Sequence, residues 1–235
     1  MGADSQSAAA VRRVVVLIIY ALAMGCVEAA AVLYLRTVVS GGAVPTQVCH
    51  VHCSSIGLLY KVEVVREAAT IVMLLAVGWL AGMGFAGRLG GFIAAFGVWD
   101  LSYYLWLHVF TGWPTGLLSP DVLFLIPIPW QGPVLAPSLL ALVMTVAGSW
   151  MMYRSALGRR IWADKWVWLL TGLSTLLCLA SFMAGVLEAM PGGVAAALLA
   201  RPGDFSWTMY GLGLAIGLLG LVRLVAISSR QLGSA

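Results

Sequence analysis

Six apolar runs of roughly twenty residues each dominate the chain, and few folds accept such runs. At 1.5 Å per residue, about twenty helical residues cross the hydrocarbon of a bilayer. The runs cover about 14–35, 63–83, 91–110, 137–152, 167–189 and 207–226. Only 9% of the residues are charged and 62% are hydrophobic, whereas water-soluble domains carry about 25% charged residues. The sequence therefore predicts an all-α, polytopic membrane protein in which residues 11–228 form one six-helix domain. Residues 1–10, small and polar, and 229–235 are expected as tails, the first of them disordered. A secretory signal peptide is the competing reading of the first run, with Ala23-Met24-Gly25-Cys26 as a loose cleavage box; the run continues well past Cys26 and favours a span.

Six spans bring both termini to one side. With that side cytoplasmic, Arg12, Arg13, Arg88, Arg154, Arg159, Arg160, Lys165, Arg223 and Arg230 lie inside, and Arg36, Lys61, Arg66 and Arg201 outside. This is the positive-inside bias, and it predicts N-in, C-in insertion in a bacterial inner membrane. The net charge of +4 is small and scattered, so it reports topology rather than nucleic-acid binding. The lipid bilayer is the expected partner. Gly78/Gly82 and Gly213/Gly217 offer small faces where another helix can approach closely. Trp113, Trp130, Trp150, Trp162, Trp166 and Trp207 sit near span ends, as in an interfacial aromatic belt.

One segment breaks the pattern. Residues 111–136 are as apolar as a span, yet with Pro137 just beyond them they carry Pro114, Pro120, Pro127, Pro129 and Pro133. That many prolines exclude a continuous helix. The segment is expected as an outer re-entrant or interfacial loop, packed on protein and able to cover what lies beneath it.

The polar residues inside the runs are the functional candidates. An aspartate at mid-bilayer costs roughly 2.5–3.5 kcal/mol, so Asp100 should face protein or a wet cavity. Asp100, Tyr104 and His108 recur at helical spacing, Glu28 lies in the first span, and Glu63, Glu67 and Thr70 share a face of the second beside Arg66. Folded up, Glu28, Glu67, Asp100, Tyr104, His108 and Arg66 are expected in the outward half. Three readings are open. Glu28, Glu67, Asp100 and His108 suit a transition metal (Fe, Mn, Zn or Cu), which would make this a metal- or redox-linked membrane component. The same groups suit a proton or cation relay, or a polar headgroup such as a quinone's, as in a coupled transporter or channel. Alternatively, Arg66 pairs with Glu28 or Asp100 as a structural ion pair in a non-catalytic subunit of a larger complex. Cys49-His50-Val51-His52-Cys53 reads either as a Cys49–Cys53 disulfide on an oxidising face or as a weaker metal site. Cys26 and Cys178 are read as small hydrophobes.

Several stretches resemble an uncharacterised family of bacterial six-span integral membrane proteins. They are Val27-Glu28-Ala29-Ala30 with Tyr34-Leu35-Arg36, Arg66-Glu67-Ala68-Ala69-Thr70, Phe96-Gly97-Val98-Trp99-Asp100 with Tyr103-Tyr104, Gly112-Trp113-Pro114, and Asp121 to Pro127. The resemblance spans roughly the first 140 residues and implies six crossings; no activity comes with it. The cysteine–histidine loop is not part of that pattern. Motifs of rhomboid, intramembrane CAAX-type protease and disulfide-generating membrane families are absent.

Overall fold

The computed structural model describes residues 3–39, 56–189, 191 and 205–230. Its order is α1 (Ala3–Val39), α2 (Ile56–Ala81), α3 (Gly84–Thr111), β1 (Pro120–Phe124), β2 (Trp130–Pro133), α4 (Leu135–Ala156), α5 (Lys165–Ala189) and α6 (Trp207–Arg230). All six apolar runs are helical, and the helices overrun them. Residues from Ala3 onward, expected as a disordered tail, belong to α1. Ala8, Ala9 and Ala10 are strong helix formers, Asp4 suits a first turn, and Ala10 is buried.

Five helices are long and apolar enough to cross a membrane: α1, α2, α4, α5 and α6. Their exposed positions are themselves apolar; on α2, Val65 is 68%, Val72 63% and Leu80 80% exposed. A helix that is apolar all round needs an apolar solvent outside the bundle. α3 falls outside this group because its glycines, tyrosines, Arg88 and Asp100 lower its hydropathy, and its position explains that composition. It is the central helix, packed against α1, α2 and α4.

Small residues set those contacts. A Cβ at Gly90 would lie 2.6 Å from the Met151 Cβ, and one at Gly97 2.6 Å from the Thr145 hydroxyl, so α3 and α4 meet nearly backbone to backbone. Gly78 faces Gly91 and Phe92 of α3, and Gly213 and Gly217 face Cys178 and Ser174 of α5. The two small faces expected for helix packing are thus occupied within the chain. α5 and α6 form a pair that α4 and β2 join to the rest. The Tyr210 hydroxyl donates to the Ala136 carbonyl at 2.5 Å, and Arg154 Nη2 to the Ser228 carbonyl at 3.0 Å.

The proline-rich segment forms an antiparallel hairpin, with Asp121 opposite Gly132 and Val122 opposite Gln131. Gly112, in the left-handed region at φ 73°, ends α3 by donating its N–H to the His108 carbonyl at 2.8 Å. Pro137 stands in the first turn of α4, where its missing N–H has no role. Prolines at the ends of β1 and β2 are compatible with a two-stranded ribbon whose outer edges are unpaired. Trp113 and Trp130, expected in the interfacial belt, instead pack inside: Trp113 is 5% exposed beneath Arg36, and Trp130 stacks on Phe182. Trp166 and Trp207 remain exposed at the starts of α5 and α6, and Trp162 is exposed in the connection before α5.

Candidate functional site

The hairpin end of the bundle gathers most of the buried charge. On α2, Glu63, Arg66, Glu67 and Thr70 recur at three- and four-residue spacing and so share a face. Arg66 reaches across to α1, where its Nη1 donates to Glu28 Oε1. It also grips Glu63 with two donors, Nε to Oε2 at 2.9 Å and Nη2 to Oε1. Thr70 Oγ1 donates to the second Glu28 oxygen at 3.3 Å. Of the partners foreseen for Arg66, Glu28 is the one it takes. Glu63 fills the place that Asp100 was the alternative for.

Glu67, one residue further, turns to the hairpin. Its Oε2 accepts the Leu125 backbone N–H at 2.8 Å. A second charged pair closes the same end: Arg36, in the last turn of α1, lies 3.7 Å from Asp121 Oδ1 and 4.9 Å from the Trp113 ring centroid. The Tyr104 hydroxyl donates to Asp121 Oδ2 at 3.2 Å. Asp121 is almost fully buried, and burial pushes its carboxyl up to about 6, against the pull of the Arg36 guanidinium and the Tyr104 hydroxyl. Tyr103 sits between the two clusters, within electrostatic reach of Asp121, Arg36, Arg66 and Glu63.

Asp100 looks the other way around α3. It interacts electrostatically with Asp121 and Tyr104 but makes no hydrogen bond or ion pair with the described residues. Instead it lines a cavity of about 50 Å³ bounded by α3, α4, α5 and the hairpin. The proline-rich segment contributes one wall of it, through Leu123, Phe124 and Trp130.

His108 is not in this group. It is exposed, and its Nδ1 lies 3.0 Å from the Pro114 carbonyl. Eight residues at 100° each carry it about 80° round the helix from Asp100, enough to leave the shared face. The proposed metal set is correspondingly dispersed: Glu28 is held by Arg66, Glu67 by a backbone amide, Asp100 faces the cavity, and His108 lies outside. Among the described residues no group of three or more His, Cys, Asp or Glu side chains could hold a metal ion. Cys49, His50, His52 and Cys53, the candidates for a disulfide or a second metal site, lie outside the described residues. Cys26 and Cys178 are free thiols, Cys178 buried within an apolar cluster.

Arg36 and Asp121 are the site residues that sequence reasoning did not select. Asp121 had a signal, being the sole acid of an apolar proline-rich segment. Arg36 had none beyond its place at a helix end. No family model, curated protein or solved structure matches the chain.

Proposed function

We propose that the protein is a six-span membrane carrier that moves protons or small cations through an acidic site in the outward half of the bundle. The observation that carries this reading is a charge imbalance. Among the described residues this end of the bundle carries five carboxyls and two guanidiniums: Arg36 pairs with Asp121 and Arg66 with Glu28 and Glu63, while Glu67 and Asp100 have no ion pair. An excess of carboxylates over guanidiniums is costly where it is buried, which favours carboxyls that take up protons or a bound cation. A site that can take up positive charge in this way has one property of a coupled carrier.

The topology behind this proposal takes α3 as the sixth crossing, with both termini cytoplasmic. It places the nine basic residues from Arg12 to Arg230 inside and the hairpin outside, as in a bacterial inner membrane. The metal- or redox-linked reading is weaker, because its four ligands are committed elsewhere or face apart. Purified protein reconstituted into liposomes, with a pH dye inside and an imposed proton gradient, tests the proposal. Dissipation faster than in empty vesicles is expected; identical rates under proton, sodium, potassium and ammonium gradients would reject it.

A further inference from the structure

The cavity beside Asp100 has a composition that narrows its occupant. Phe96, Trp99, Phe124, Trp130 and Phe182 line it, and Asp100 is its one ionisable group. Neighbouring rings stand close together: the Phe96 and Trp99 centroids are 5.3 Å apart, Phe124 and Trp130 5.6 Å, and Trp130 and Phe182 6.4 Å with their planes 6° apart. An aromatic lining beside one carboxylate suits an organic cation, since a ring attracts positive charge to its face. Hard metal ions do not suit such a wall. Calcium takes six to eight oxygen ligands and magnesium an octahedron of them, whereas one carboxylate is available here.

The geometry points to a binding site for a small ammonium-class cation, ammonium or methylammonium, held by Asp100 and the aromatic lining. This rests on the cation-carrier reading and names the cargo of its central acid. The size agrees. A water needs about 10–15 Å³ of such space, so about 50 Å³ takes roughly three to five water-sized groups. Methylammonium, with two heavy atoms, fits within that space. The ammonium N–H groups donate to Asp100, and its methyl group meets the rings.

Tryptophan fluorescence of the purified full-length protein, titrated with methylammonium chloride against sodium chloride at equal ionic strength, tests this. A saturable response to methylammonium is expected, with sodium inert. Asp100→Asn should weaken it at least tenfold. Met144→Phe fills the cavity from α4 without altering charge and should also abolish it, which keeps the test informative if the aspartate variant does not fold. A response equal in sodium, or one unchanged in a folded Met144→Phe variant, overturns the inference. Proton flux in liposomes without any methylammonium response also overturns it while leaving the carrier reading standing; absence of all flux would instead remove the carrier reading.

Discussion

Glu67 of α2 accepts the backbone N–H of Leu125, and this bond ties the hairpin to the helix that carries most of the buried charge. The carboxylate thus positions the wall of the cavity rather than coordinating a ligand. Glu67→Ala strands a buried N–H, a loss of about 1–3 kcal/mol. Thermal unfolding in detergent should show it, and amide exchange should rise across residues 120–133. Glu67→Gln keeps an acceptor oxygen and should restore most of the protection.

Arg66 bridges two helices through Glu28 and Glu63, and removing it leaves both acids without their counter-charge. Arg66→Met should destabilise the protein by about 3 kcal/mol. Adding Glu28→Gln to that variant should recover part of the loss, because a neutral amide costs less to bury than an unpaired carboxylate. A double-mutant cycle on unfolding midpoints measures the coupling; simple additivity would show that the pair is energetically silent.

The α3–α4 seam depends on having no side chain at Gly90 and Gly97. Gly90→Val drives a branched side chain into Met151 and the α4 backbone, and the variant should be recovered as aggregate in size-exclusion chromatography. Gly172 is the contrasting case. It lies mid-helix in α5 with open space where a Cβ would stand, so Gly172→Ala should raise stability by up to about 1 kcal/mol.

At the opposite end, Asp164 accepts from the Val167 N–H at 3.0 Å as the cap of α5, and pairs with Arg223. Arg223 and this capping bond hold the Asp164 carboxyl down at about 2. The folded-state value lies below the unfolded one, so the charged form stabilises the fold above about pH 4. That contribution is lost as pH falls toward 2. Stability measured from pH 6 to pH 2 should fall less steeply in Asp164→Asn than in wild type.

Much of this architecture is legible in the residues. Each apolar run fixes a helix, and the acids inside them announce buried polar chemistry, since nothing else offsets their insertion cost. The Arg66–Glu28 pair is readable because a lone arginine in a span must find an acid. The hairpin is not, because prolines exclude helix without specifying strand pairing. Arg36 and Asp121 come from segments 85 residues apart, and no local pattern signals that they meet. His108 misleads because spacing of eight drifts off a helical face, and a glycine seam such as Gly90, Gly97 and Gly148 shows its partner only when the helices are assembled.

The most direct test of the account compares wild type with Asp100→Asn in the same liposomes, after both pass size-exclusion chromatography as single species. If Asp100 is the group that loads and releases the cation, flux through the variant should fall to the level of empty vesicles while flux through wild type exceeds it. A folded Asp100→Asn protein that carries the wild-type flux would contradict the account.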